Sequence, residues 1–328
     1  MRQNSPYHLF RFTFPAALDL SIVIVSFNTR QILLECLKSL YTHTTGISFE
    51  IFVIDNSSID GSAQAVAKHF PNVKIIQNSN NCGFSSAQNQ GIVESRGEYV
   101  VLLNSDTLLI ENCFLKIVSY LNKRQEFSIC SPQILDENNC TGTMRLWEDS
   151  PRDAVLKILG KYNMEKEARK MRKIEHTEVE AIGGSCFVVR RKLFEMIGLL
   201  DENYFLYNEE DDFCRRARQV GQKVCYYPEA SIRHLQGKST HLPAFREKVI
   251  VESYKSNLYF YAKHYSTAWN LLFRILYRLT FFAAVMRSLW NRVLCKKSGS
   301  ADDSISLHLK LLFMNPLIPT PQKHFRRR

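Results

Sequence analysis

Apolar residues along this chain come either in short unbroken runs or at every third or fourth position, and the two patterns alternate. Ser21-Ile22-Val23-Ile24-Val25 is a run of the first kind, as expected of a strand covered on both faces. From Arg30 to His43 the residues Ile32, Leu33, Cys36, Leu37 and Leu40 recur at helical spacing. Phe49 to Ile54 predicts a second strand, and Asp60-Gly61-Ser62 opens a helix through Phe70. Val73 to Gln77 predicts a third strand, and Phe84 to Ser95 a helix that Gly97 stops. Tyr99-Val100-Val101-Leu102-Leu103 then runs into Asn104-Ser105-Asp106-Thr107. Repeated β-α units with short connections predict an α/β fold with a mostly parallel sheet and right-handed crossovers.

The pattern changes twice further on. From about Asp136 to Glu178 the chain is rich in Lys, Arg and Glu, without a clear strand, which reads as an insertion or flap. Order resumes at Val179 in a strand to Val189 that Gly183 and Gly184 interrupt, a pairing that marks a bulge or a close approach of backbone to ligand. Between Ser266 and Cys295, Trp269, Leu272, Phe273, Leu276 and Phe281 are punctuated by Arg274, Arg278, Arg287 and Arg292. That is the composition of an amphipathic helix in a membrane interface; the competing reading is a helix packed on the protein with its arginines in water.

Charge sharpens this division. The net charge is +11 over 328 residues, yet residues 255–328 hold 13 Lys and Arg against Asp302 and Asp303, while residues 1–254 balance at 30 against 30. The basic character belongs to an appendage with apolar neighbours, which disfavours a nucleic-acid binder and favours an anionic membrane surface. Nine scattered cysteines with no C-x-x-C pair argue against zinc and disulfide frameworks and for free thiols in a reducing compartment. Pro6, Pro15 and Asp19 interrupt the N-terminus before any apolar stretch of signal length. No uncharged apolar run reaches the roughly 20 residues that span a bilayer.

The candidate chemistry lies at the ends of the predicted strands, where open α/β sheets bind ligands. Asp106 is a candidate metal-facing carboxylate, in competition with a simple turn. Phe27, after the first strand, and Asp55-Asn56, after the second, offer a ring and polar groups to a nucleobase, with the Asn80-Asn81-Cys82-Gly83-Phe84 turn near the same edge. Glu209-Glu210-Asp211-Asp212 are consecutive carboxylates, best placed at the positive N-terminus of a helix. On that helix Asp212 shares a face with Arg215 or Arg216, which leaves Glu210 and Asp211 available as a general base. His234 is a competent ligand for Mn²⁺-like metals, and Lys238, in the following Gly-containing turn, suits a phosphate clamp. No G-x-x-x-x-G-K-[ST] or G-x-G-x-x-G fingerprint is present.

The order of these motifs resembles family 2 glycosyltransferases, in their rhamnosyltransferase-like branch. The elements are Ser-Ile-Val-Ile-Val-Ser-Phe-Asn, Val-Ile-Asp-Asn-Ser-Ser-x-Asp-Gly-Ser, Asn-x-Gly-Phe with a later Asn-x-Gly, and Leu-Leu-Asn-Ser-Asp-Thr. Gly-Gly-Ser-Cys-Phe-Val-Val-Arg-Arg, the acidic cluster before Cys-Arg-Arg-Ala, and His-x-x-Gly-x-Ser complete the set over residues 19–245. The resemblance implies a GT-A fold, a nucleotide-sugar donor, a divalent metal (Mg²⁺ or Mn²⁺) and inversion at the anomeric carbon. It makes Asp106 and His234 metal contacts, with Asn104 where the first carboxylate of the D-x-D element is usual. Phe27, Asp55, Asn56, Asn81, Asn104, Asp106 and Lys238 fall on the donor side, and Gly184 and Ser185 on the acceptor side. Glu210 is the expected catalytic base and Asp211 the alternative register.

The expected organisation is an N-terminal extension (1–18), a GT-A domain (19–245) and a basic amphipathic region (246–328). Within the domain, residues 19–110 form a Rossmann-like nucleotide-sugar half and 111–245 an acceptor half carrying the insertion. The expected activity is transfer of a sugar, with dTDP-rhamnose among the donors, to a polyprenyl-diphosphate-linked saccharide for a surface polysaccharide such as an O-antigen or capsule. The expected place is the cytoplasmic face of the plasma membrane, held peripherally through residues 266–295. Two alternatives are a nucleotidyltransferase acting on a sugar phosphate and a noncatalytic membrane-associated scaffold.

Overall fold

The first apolar run becomes β1 (Leu18–Ser26), whose Ile22, Val23 and Ile24 are wholly buried. A computed structural model describes residues 18–140, 151, 155–156, 177–235, 243–295 and 300–314. Following β1 come α1 (Arg30–His43), β2 (Phe49–Asp55), α2 (Ser62–His69), β3 (Lys74–Gln77), α3 (Phe84–Glu94) and β4 (Gly97–Asn104). The α1 residues Leu33, Cys36, Leu37 and Leu40 are buried, the face that the helical periodicity predicts. On α3, a Cβ added to Gly91 would lie 2.4 Å from Val23 Cγ1, so only glycine lets this helix settle on β1.

The chain continues through β5 (Thr107–Leu109), α4 (Cys113–Lys123), β6 (Phe127–Leu135), β7 (Thr177–Val179), β8 (Cys186–Arg190), α5 (Arg191–Ile197), α6 (Glu209–Gln219) and β9 (Lys223–His234). The sheet runs β3-β2-β1-β4-β8-β6-β9-β5, with β7 also on β9. The β3-β2-β1-β4 half is parallel throughout, as the β-α repeat predicts. Beyond β4 the sheet is mixed: β8 lies antiparallel to β4 and β6, while β6 and β9 are parallel. The expected continuous strand over 179–189 is two strands, β7 and β8, which pair with different partners on either side of Gly183-Gly184.

The chain divides into two compact units, residues 1–148 with 166–242, and residues 149–165 with 243–328. The second unit contains α7 (Pro243–His264), α8 (Thr267–Cys295) and α9 (Ser300–Phe313). Tyr261 of α7 stacks on Phe273 of α8 at 4.0 Å between centroids, and Tyr254 meets Tyr277 and Phe281 edge-on. By length and composition alone, Thr267–Trp290 passes as a possible membrane span once its arginines are admitted. The cysteines with described side chains are free thiols, all buried except Cys82 and Cys140. The extension before Leu18, most of the predicted insertion, and Lys238 lie outside the described residues.

Candidate active site

The strand registers gather the predicted residues at one edge of the sheet. Ser26 of β1 pairs with Asp55 of β2, and Val25 pairs with Asn104 of β4, so Phe27, Asp55 and Asn104 emerge side by side. Because β8 is antiparallel to β4, its start faces the end of β4, with Leu103 opposite Cys186. The Asn104 N–H donates to the Ser185 carbonyl at 3.0 Å, and Thr107 Oγ1 to the same carbonyl at 3.4 Å.

Asp106 and His234 meet through the β5–β9 ladder. Thr107 stands opposite His234, and the Leu235 N–H donates to the Asp106 carbonyl at 2.9 Å. His234 Nε2 then lies 3.0 Å from Asp106 Oδ1, with the carboxylate almost wholly buried. Two neighbouring corners of an octahedron with bonds of about 2.1 Å stand about 3.0 Å apart, so the pair fits two ligands of one small hard cation. Among the described residues no third His, Cys, Asp or Glu joins them, so a cation held here would need its further oxygen ligands from water or from the substrate.

At the sheet edge expected to meet the donor, the loops after β1 and β2 are stitched together. Asn28, in left-handed backbone at φ 54°, accepts from the Ile59 N–H on Oδ1, and its own N–H donates to Ser58 Oγ, both at 2.9 Å. The Arg30 N–H donates to Asp60 Oδ2 at 2.8 Å, and Ser62 donates to Asp60 Oδ1. Burial alone would raise the Asp60 carboxyl, but these hydrogen bonds, Ser62 first, hold it below its usual range. Asp55 is buried and accepts from the Ser58 N–H at 3.2 Å, while Phe27 is half-buried.

Asn56 has an internal role. Its amide donates to Asn81 Oδ1 and the Gly83 carbonyl, and its oxygen accepts from Asn78 Nδ2 and the Cys82 N–H. Asn81 Oδ1 also accepts from the Gly83 N–H. The Asn80–Phe84 turn is thus fastened to β2 through the side chains of Asn56 and Asn81. Gly83, at φ 91°, lets the turn press on Phe205, where a Cβ would meet the ring at 2.9 Å, and the Phe84 N–H donates to the Phe205 carbonyl at 2.7 Å. Asn89 of α3 completes the clamp, donating to the Leu200 carbonyl and Glu202 and accepting from the Leu200 N–H.

That clamp holds the loop leading into α6. Its last residues, Tyr207 and Asn208, both have positive φ, and the four carboxylates fill the first turn of the helix. Phe213 anchors α6 against Phe187 of β8 and Phe194 of α5. Glu210, one turn earlier on that face, stands over Gly184, where a Cβ would lie 3.6 Å from its carboxylate. Asp212 takes the structural role expected of it: Arg216 Nε donates to it at 2.7 Å, both buried, while Arg216 also donates to the Ile197 and Leu199 carbonyls. Asp211 is buried.

Glu209 carries a role that the sequence reasoning missed. It is buried, and burial first, then the neighbouring Glu210 charge, push its carboxyl well above the usual range. A side-chain hydrogen bond with Glu210 pushes it the same way, so burial and its acidic neighbour both favour the protonated form of Glu209. The sequence signal was the run of four acids itself. Thr29 and Ser105 were also missed; their hydroxyls bridge the ends of β1 and β4 at 3.2 Å.

The Glycosyl transferase family 2 model matches residues 21–198. The chain belongs to that family. The match covers the donor edge and Asp106, whereas Glu210 and His234 lie beyond it. A family 2 relative, the low-salt glycan biosynthesis hexosyltransferase Agl10 of Haloferax volcanii, is 30% identical over 61% of this chain and 62% of its own length. The N-acetylglucosaminyl-diphospho-decaprenol L-rhamnosyltransferase of Mycobacterium tuberculosis is 26% identical over 76% of this chain and 86% of its own. Both support the rhamnosyltransferase-like branch. The fold is that of GT-A glycosyltransferases, as in the mannosyltransferase PcManGT of Pyrobaculum calidifontis solved with GDP-Man and Mn²⁺ (TM-score 0.51, 14% identity, 94% of this chain and 88% of that one). GalNAc-T7, solved with UDP, GalNAc and Mn²⁺, gives the same TM-score at 19% identity over 75% of this chain and 50% of its own. This family 2 member is therefore a glycosyltransferase by family and by fold.

Proposed function

We propose that this enzyme moves a sugar from a nucleotide-sugar donor to a hydroxyl of a polyprenyl-diphosphate-linked saccharide by a single inverting displacement. The observation that carries the proposal is the convergence of three strand ends and a helix start at one edge. Asp106 and His234 lie on one side and Glu210 above Gly184 on the other, with Ser185 hydrogen-bonded to the β4 end between them. Phe27 and Asp55 face the nucleoside, with Asn56, Asn81 and Asn104 shaping that edge. Lys238 is assigned to the donor diphosphate. Gly184 and Ser185 line the acceptor side, where the missing Cβ of Gly184 leaves room beside the base.

Asp106 and His234 are the residues that would hold a divalent cation, Mg²⁺ or Mn²⁺, whose charge would offset the charge growing on the leaving diphosphate. Glu210 takes the acceptor proton while the hydroxyl attacks from the face opposite the leaving group, and Asp211 is the alternative base. Glu209, its carboxyl raised by burial and by the Glu210 charge, is the hydrogen-bonded neighbour of that base. Glycan biosynthesis is supported by the names of Agl10 and of the decaprenol-linked rhamnosyltransferase. The latter's name also supports a rhamnosyl donor, for which dTDP-rhamnose is our choice, and a lipid-linked acceptor; a peripheral place on the cytoplasmic face of the plasma membrane, in O-antigen or capsule assembly, is part of the same proposal.

Calorimetry with UDP-, dTDP- and GDP-sugars, with and without Mn²⁺, tests the donor half. Metal-dependent binding of one nucleotide class, followed by transfer to a polyprenyl-diphosphate saccharide with inversion seen by NMR, is the expected result. No binding of any nucleotide to folded protein would overturn the proposal and favour the scaffold reading.

A further inference from the structure

Helix α8 has two apolar faces. One is inside the second unit: Phe273 and Val285 are buried, and Tyr277 and Phe281 pack on Tyr254 of α7. The other is open to solvent. Leu271 (58% exposed), Ile275 (47%), Leu279 (58%), Phe282 (53%), Met286 (50%) and Trp290 (66%) follow one another at steps of three or four residues, a single straight stripe on a helix turning 100° per residue. Arg278 and Arg287 fall on its two edges by the same geometry. Between Glu252 and Asp302 the chain has no carboxylate at all.

From Leu271 to Trp290 the stripe runs about 28 Å, so length alone would allow α8 to cross a bilayer. Its partner forbids that. The inner face of α8 is bound to α7, which carries Glu247, Glu252, Lys255 and Lys263, and charged groups facing hydrocarbon are strongly disfavoured. We propose that α8 lies in the plane of an anionic membrane leaflet, with the Leu271–Trp290 stripe among the acyl chains and Arg278 and Arg287 at the headgroups. This inference rests on the membrane-proximal reading above and adds the face of α8 that makes the contact and the reason that the helix does not span.

The test uses the full chain with vesicles of phosphatidylcholine alone or mixed with phosphatidylglycerol. The expected result is flotation with the mixed vesicles, reduced about tenfold or more by Ile275→Glu with Phe282→Glu, with nucleotide binding unchanged as the check on folding. Arg278→Gln with Arg287→Gln should weaken the preference for phosphatidylglycerol while leaving the stripe able to insert. Depth is read in chains whose single tryptophan is Trp290 or is placed by Phe282→Trp, using lipids brominated at shallow or deep acyl positions. Equal, shallow quenching at both positions supports the in-plane helix, whereas deep quenching at position 282 alone overturns it in favour of a span. Vesicle binding unaffected by the double Glu change also overturns it. So does a dimer in ultracentrifugation that this change dissociates, in a chain that does not bind vesicles, because a second copy then covers the stripe. Transfer to a lipid-linked acceptor in detergent separates the two readings: transfer without vesicle binding removes only the membrane inference, and vesicle binding without transfer removes only the proposed reaction.

Discussion

His234 Nε2 and Asp106 Oδ1 stand 3.0 Å apart although 128 residues separate them in the chain. The short β5–β9 ladder makes this contact, and it places an imidazole and a carboxylate where one cation can take both. Asp106→Ala should therefore weaken Mn²⁺-dependent nucleotide binding at least about 100-fold, because even residues that only orient metal ligands cost 10- to 100-fold. His234→Ala should act in the same direction. Calorimetric titration of the nucleoside diphosphate at varied Mn²⁺ checks this, and an unaltered metal dependence would remove both residues from the metal site.

Glu210→Gln keeps the shape of the α6 start but cannot accept a proton. Transfer should fall about 10²- to 10⁴-fold, with the donor dissociation constant little changed. Asp211→Asn is the paired control. If it abolishes transfer while Glu210→Gln does not, the base is Asp211 and the register shifts by one residue.

Glu209 links the site to pH. Its carboxyl, raised first by burial, binds a proton more tightly folded than unfolded. Its contribution to stability is therefore complete below the ordinary carboxyl range and is lost as pH rises toward the raised folded value. Glu209→Gln, which keeps the shape of the side chain and removes its titration, should flatten the fall of Tm with pH above that range and preserve transfer. A Tm profile parallel to wild type would mean that Glu209 is ionised in the fold.

The Asp212–Arg216 pair is buried on both sides, so removing one partner strands a charge. Arg216→Ala should cost roughly 3–5 kcal/mol, a fall in Tm on the order of 10 °C measured by calorimetry. Arg216→Lys should recover little, because a lysine cannot also reach the Ile197 and Leu199 carbonyls in the same plane. A change within 1 °C or so would contradict this role.

The parallel half of the sheet was legible because its signal is local: an apolar run, then a helical repeat, then a glycine. β1, α1 and α3 fall where the pattern places them, and helical spacing offers Asp212 a partner in Arg215 or Arg216, of which the fold uses Arg216. The mixed half was not legible, since the pairing of β8 with β4, and of β9 with β5 and β7, joins segments far apart in sequence whose direction no local pattern encodes. The same limit explains Asn56. An Asp-Asn pair after a strand looks alike whether its amide faces a ligand or a neighbouring turn, and only the contacts with Asn78, Asn81 and Cys82 assign it to the turn. Glu209 escaped notice because which acids of the run are buried, and which of them has its carboxyl raised, is a property of packing.

The clamp made by Gly83 and Asn89 ties two stretches of chain into one mechanical piece, since the donor-side turn and the 200–205 loop cannot shift independently. A chimera that borrows residues 18–110 from a relative to change its donor will misplace the acidic helix unless it imports the matching 199–208 loop as well. The interchangeable cassette in this fold is thus discontinuous in sequence, and recombination designed at the apparent midpoint of the chain would cut through it.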